Sequence, residues 1–193
     1  MKYKTVVIDL PWPIKLAENP ETLQGSALGN IPYDTLSVDA FYDLDINEFA
    51  ADEALLFVWV TAGKVKDGTS IMEIAHRLIR HWGFTYRLTL YWQKNKATPA
   101  IFTPFRRSIE PILFASRGVA AIPPYGQFSD IFQAPRGEHS EKPAKFYQML
   151  RAWTPEPRID LFARQAHEGF GGWGDEYVGE GPLAPFLKEE VRS

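Results

Sequence analysis

An aspartate that ends an apolar run and is followed by an X-Pro step and a tryptophan could hold and orient a small polar group. Residues Thr5-Val6-Val7-Ile8-Asp9-Leu10-Pro11-Trp12 have that order, and the run before Asp9 has the β-branched make-up of a buried strand. Open α/β sheets keep their sites at the carboxyl ends of such strands. Asp9 would be an acceptor there, Pro11 would stiffen the loop, and Trp12 would offer a flat face to a planar ligand. The same residues also read as a strand and an ordinary turn, with Asp9 bonded to its own backbone and Trp12 filling core.

Three further stretches carry chemistry. From Lys94 to Ser108, the cations Lys94, Lys96, Arg106 and Arg107 are interleaved with Phe102 and Phe105, which suits phosphate contact with base stacking and equally a solvated flexible loop. Arg136 adds local positive charge, and Glu110 stands as an acid in the apolar run from 109 to 116. Ser140-Glu141-Lys142-Pro143 reads as a helix start with Ser140 as cap. A cation such as Lys142 in a first turn opposes the helix dipole at about 0.3–1 kcal/mol, and an anionic ligand group would repair this, whereas a solvated lysine needs no such partner. Finally, Arg164-Gln165-Ala166-His167-Glu168-Gly169 and Gly171-Gly172-Trp173-Gly174-Asp175-Glu176 follow a strand tip. Glycines there permit close backbone approach and acids suit ribose hydroxyls, although the GxGxxG fingerprint is absent.

The elements that must position these residues follow from periodicity. Residues 54–61 form a continuous apolar run, as in a strand covered on both faces. Ile71, Ile74, Ala75, Leu78 and Ile79 recur at helical spacing within 69–82, with Gly83 as C-terminal cap. Alternation over 84–92 completes a strand, helix, strand order. Ser37 caps a helix through Phe41 and Leu44, a short helical turn follows near 46–50, and strands are expected at 109–116, 130–133 and 158–163. A helix from Ser140 to about Trp153 would bury Phe146, Met149, Leu150 and Trp153. Residues 13–32 form an irregular stretch of about twenty, long enough to suggest a lid. The expected architecture is α/β with a mostly parallel central sheet flanked by helices, one domain over 1–178 and a charged tail over 179–193.

Composition narrows the classes. With 193 residues, 45% hydrophobic and 23% charged, the chain suits one soluble globular domain. A net charge of −3 argues against a broadly basic nucleic-acid surface, so contact with nucleic acid would be local. The chain has no cysteine, which excludes disulfides, thiolate metal sites and cysteine nucleophiles. Its four histidines, His76, His81, His139 and His167, show no paired metal-ligand motif. No apolar run reaches membrane-spanning length and no signal peptide is evident, so a cytoplasmic protein is expected, in a bacterial or phage-infected cell.

Taken in order, Asp9-Leu10-Pro11-Trp12, Tyr33-Asp34-Thr35-Leu36-Ser37, Leu56-Phe57-Val58-Trp59-Val60-Thr61, Trp82-Gly83-Phe84, Trp92-Gln93-Lys94, Glu110-Pro111-Ile112-Leu113, Arg117-Gly118, His139-Ser140-Glu141-Lys142-Pro143 and Leu161-Phe162-Ala163-Arg164 resemble the MT-A-seventy family of adenine-N6 methyltransferases. The resemblance covers residues 4 to 177. It implies a Rossmann-like methyltransferase fold, with S-adenosylmethionine as cofactor, no metal, and an adenine amine in nucleic acid as target, DNA favoured over RNA. By the same resemblance Asp9, Leu10, Pro11 and Trp12 form the catalytic loop. Asp9, Lys142, Arg164, His167, Asp175 and Glu176 would face the cofactor. Trp12, Tyr33 and Glu110 would line the target pocket, with Lys94, Arg106, Arg107 and Arg136 on the nucleic acid. Leu10 departs from the family's second proline, leaving its carbonyl as the acceptor, and Asp175 departs from an amide. Those departures motivate the rival expectation of a non-catalytic nucleic-acid-binding partner subunit; an RNA adenosine N6-methyltransferase is a further alternative. A homodimer or a related partner subunit would fit either.

Overall fold

The computed structural model describes residues 2–14, 35–99, 104–119, 126–137 and 141–174. The elements are β1 Tyr3–Ile8, α1 Val38–Asp43, a 3-10 turn Ile46–Glu48, β2 Ala50–Trp59, α2 Ile71–His81, β3 Thr85–Pro99, β4 Arg106–Arg117, β5 Ile131–Ala134, α3 Ala144–Trp153, β6 Arg158–Leu161 and β7 Gly171–Trp173. They build one seven-stranded sheet in the order β5-β3-β4-β2-β1-β6-β7. β4 runs antiparallel to both of its neighbours and the other strands share one direction. The mostly parallel α/β architecture expected from the sequence is therefore present.

Alternation along the central strands explains their continuous apolar runs. Val6 and Ile8 of β1, with Leu56 and Val58 of β2, pack into one core with Ile71, Ile74, Leu78 and Ile79 of α2. Val7, Leu55, Phe57 and Trp59 pack into the other with Phe146, Tyr147 and Leu150 of α3. A strand buried on both faces has no polar side to display. Among the described residues, no helix is long and apolar enough to cross a membrane.

Caps fall where the side chains allow. Ser37 Oγ accepts from Ala40 N at 3.2 Å before α1. α2 ends at Gly83, φ +78°, where Phe84 N bonds Ile79 O at 2.9 Å and Gly83 N bonds Arg80 O at 3.0 Å, a Schellman ending that needs a left-handed residue. Gly118 ends β4 at φ +64°, and a Cβ there would lie 2.7 Å from the backbone oxygen of Asp52. Gly118→Ala is expected to cost about 1–3 kcal/mol, read as a lower thermal midpoint, from left-handed strain plus a clash that backbone cannot relieve cheaply.

Three expectations change. Residues 94–99 and 106–108 are no free loop: β3 runs on to Pro99 and β4 starts at Arg106, with Thr98 opposite Arg107 and Pro99 opposite Arg106 after a register shift. Ladder bonding, not apolar content, carries those strands beyond the core. β7 is a strand that the sequence did not announce, since Gly171-Gly172-Trp173 has little β propensity and is ordered by parallel pairing with β6. α3 starts at Ala144 with Pro143 as its cap residue, so Lys142 precedes the helix and the first-turn dipole argument does not apply to it. Ser140, Tyr33, Asp175, Glu176, residues 15–32 of the expected lid and the 179–193 tail lie outside the described residues.

Candidate active site

Strand register brings the site together. Asp9 follows β1 directly, and its N–H donates to Leu161 O at 3.2 Å, tying the strand tip to β6. Val7 pairs with Asp160 of β6, and because side chains alternate, Asp9 lies on the same face as both, towards α3. Asp9, Lys142, Tyr147, Asp160, Arg164 and His167 line one cleft, together with Glu141, Phe162, Ala163 and Gln165. This places four of the residues expected at the site in one depression at the carboxyl ends of β1 and β6.

Charges alternate along a chain leading away from it. Lys142 Nζ lies 3.2 Å from Asp9 Oδ2 and 3.4 Å from Glu110 Oε2, while Glu110 Oε1 lies 2.5 Å from Lys94 Nζ. Lys142 Nζ also sits 4.8 Å from the centre of the Trp59 ring, whose negative face favours a cation. Burial raises the Asp9 carboxyl above its ordinary value, and Lys142 offsets this only in part. Burial alone would raise Glu110 and lower Lys142, but their charged partners prevail: Glu110 is held below its ordinary value and Lys142 above.

The deeper acid was missed by sequence reading. Asp160 is 3% exposed, and burial, then the charge of Asp9, push its carboxyl up to about 8. Tyr147 Oη donates to Asp160 Oδ2 at 2.8 Å, whereas Oδ1 is buried and has no hydrogen-bond partner among the described residues. The His167 ring stacks on Tyr147 with centroids 3.3 Å apart, its Nε2 4.0 Å from Asp160 Oδ2, and burial lowers it to about 4. A lone acid amid the apolar residues of Arg158-Ile159-Asp160-Leu161-Phe162-Ala163 was the available signal. Phe162, which also lines the cleft, holds φ +60°, a strained conformation of the kind concentrated at functional sites.

These shifts fix the sign of a pH dependence. Asp160 binds its proton more tightly folded (about 8) than unfolded (3.8), so its contribution is full at low pH and is lost as pH rises towards 8. His167, depressed from 6.5 to about 4, acts oppositely, with its contribution lost as pH falls through that range. The two nearly cancel between about 4 and 6.5, leaving Asp160 alone above it. Stability is expected to fall between pH 6.5 and 8 by up to about 1.4 kcal/mol per pH unit, read as a lower thermal midpoint, and Asp160→Asn should flatten that fall.

Other expected roles are revised by geometry. Trp12 is 4% exposed, donates from Nε1 to Trp59 O at 3.2 Å and meets Phe41 edge-on at 5.3 Å. Its ring is engaged in the core, so the stacking face expected for it is not presented. Leu10 is buried too, and its carbonyl already accepts from Trp12 N at 2.9 Å. A carbonyl oxygen has a second lone pair, so one acceptor position remains. Lys94 is not an exposed phosphate contact, because its side chain is 8% exposed and bonded to Glu110. Arg106, Arg107 and Arg136 are exposed on the β3–β4 arm and just past β5, and none lines the cleft.

Comparison with known proteins gives a family. The family model described as MT-A70 matches residues 3–176. The chain is similar to the type II methyltransferase M.MunI of a Mycoplasma species, 26% identical over 190 residues that cover 91% of this chain and 78% of that protein. It is 25% identical to a probable N(6)-adenosine-methyltransferase, MT-A70-like, of Oryza sativa subsp. japonica, over 89% of this chain and 22% of the relative. It is likewise 25% identical to the N6-methyladenosine RNA methyltransferase MTA1 of Pyricularia oryzae, over 91% of this chain and 47% of that protein. The chain thus spans less than half the length of the plant and fungal relatives.

Proposed function

This chain belongs to the MT-A70 family, and from that premise we propose that it transfers a methyl group from S-adenosylmethionine to the N6 amine of adenine in nucleic acid. The observation that carries the reading is Asp9, a carboxylate at the tip of a central strand, held in the cleft by Lys142. DNA is favoured over RNA because the match spans most of a type II methyltransferase but only a fraction of the longer relatives named for adenosine or RNA.

The cleft suits the cofactor. Asp160 Oδ1, a buried polar atom with no hydrogen-bond partner among the described residues, calls for a ligand group, while Lys142 and Arg164 offer cations for a carboxylate and Asp9 an acceptor for an ammonium. S-adenosylmethionine, when bound, supplies an electrophilic methyl group on a sulfonium. The protein's part is orientation and charge. Asp9 accepts one N–H of the target amine and the free lone pair of Leu10 O the other. Both then stabilise positive charge developing on that nitrogen. With Tyr147 on Oδ2, the proton of neutral Asp160 resides on Oδ1 and is available to a bound acceptor. His167, held neutral by burial, keeps a second positive charge away from the sulfonium. Asp175 and Glu176 are further proposed cofactor contacts, Tyr33 and Glu110 are the proposed contacts of the target base, and Arg106, Arg107 and Arg136 are the proposed phosphate contacts.

Incubation with methyl-labelled S-adenosylmethionine and unmethylated duplex DNA, single-stranded DNA or RNA tests this. Label should enter DNA. Absence of transfer to any of the three would overturn the reading. The engagement of Leu10 O by Trp12 N favours one rival, a silent partner subunit. Calorimetry separates the two, since a silent subunit retains nucleic acid without binding the cofactor.

A further inference from the structure

Lys94 lies outside the residues lining the cleft, yet it is the far end of the charge chain that begins at Asp9. It projects from β3 beside β5, Ala134 being its register partner, and its ammonium lies 5.4 Å from the Trp92 ring centre. Its contact with Glu110, 2.5 Å, is shorter than the 3.4 Å between Glu110 and Lys142. Lys142 in turn lies nearer Asp9, at 3.2 Å, than Glu110. Each carboxylate therefore has a nearest cation of its own, and among the described residues Glu110 bridges the two lysines.

We propose that Lys94 is a positioning residue: by engaging Glu110 from behind, it leaves Lys142 directed at Asp9. Without Lys94, Glu110 has a single cation left and must draw Lys142 towards itself, because a buried carboxylate is costly unless paired. Asp9 then loses the partner that counters its burial. Among the described residues, the other charged or titratable groups around Asp9 are Glu110 on β4, Asp160 on β6, Tyr147 on α3, Arg164 and His167 after β6, and Glu141 before α3. Arg164 is already part of the existing balance, and burial holds His167 neutral down to about pH 4, so neither supplies replacement positive charge above that pH. A less compensated Asp9 takes up a proton at higher pH and then no longer accepts from an amine.

The inference rests on the proposed role of Asp9, so its primary readout is independent of activity. Carboxyl 13C NMR of the full chain without cofactor would follow the titration of Asp9 in wild type, Lys94→Met, Lys94→Arg and Lys94→Met/Glu110→Gln. Lys94→Met should raise the Asp9 midpoint by about half a pH unit or more. Lys94→Arg should stay near wild type, and the double variant should return towards it, because a neutral Glu110 makes no claim on Lys142. Should Lys94→Met fail to fold, Lys94→Gln with the double variant answers the same question. The acid limb of the methylation rate should move with the midpoint. An unmoved midpoint in an active enzyme overturns the positioning role alone, whereas a moved midpoint in a protein that transfers no methyl group overturns the function and leaves the positioning role standing.

Discussion

Asp9→Ala should reduce methyl transfer by about 10³-fold, the upper end of what one preorganised electrostatic contact to a developing charge supplies. The fold should not suffer equally. Burial already raises the Asp9 carboxyl above its ordinary value, so the folded state bears a cost for keeping it ionised, and its removal relieves that cost. Lys142 keeps Glu110 as a partner at 3.4 Å, so no cation is stranded. Thermal midpoints of Asp9→Ala at or above wild type, together with lost turnover, would separate a catalytic from a structural effect. A residue that impairs stability while serving activity is the expected signature of a functional site.

Lys142→Met should have the second largest effect, and a different form. Removing the shared cation leaves Asp9 and Glu110 facing each other with Lys94 alone on the far side of Glu110. Both carboxyls then titrate at higher pH, and near neutrality Asp9 spends more time protonated. Turnover should fall by about 10²-fold or more, with weaker cofactor binding if Lys142 meets the carboxylate as proposed. The stability loss, about 1–3 kcal/mol for a pair that retains some solvent contact, should be widest at alkaline pH. It should shrink towards about pH 5, where raised carboxyls have taken up their protons. Midpoints recorded across that range check the sign: a loss that grows on acidification would contradict the network.

Much of the frame was legible because burial on both sheet faces forces a recognisable pattern. Val6-Val7-Ile8 and Leu55-Leu56-Phe57-Val58 are apolar at successive positions for that reason, and the spacing of Ile71, Ile74, Ala75, Leu78 and Ile79 with a glycine after them permits little but a capped helix. Asp9 was legible as the polar residue that ends such a run. What escaped depended on distant register. Nothing local to Lys94 says that β3 and β4 pair so as to put it on Glu110, and a cation among polar residues looks solvated until that pairing is known. Trp12 followed a strand tip and could turn outward or inward; Phe41 and the carbonyl of Trp59, both distant in sequence, take it inward. Asp160 sat in plain view within an apolar strand, but its significance required Tyr147, brought over from α3.

The measurement that bears most directly on the proposed activity is the identity of the modified nucleoside. Duplex DNA incubated with the protein and S-adenosylmethionine, digested to nucleosides and analysed by mass spectrometry, should contain N6-methyladenine, and its amount should fall to background with Asp9→Ala. Methylated cytosine in place of N6-methyladenine, or N6-methyladenine formed equally well without the Asp9 carboxylate, would contradict it.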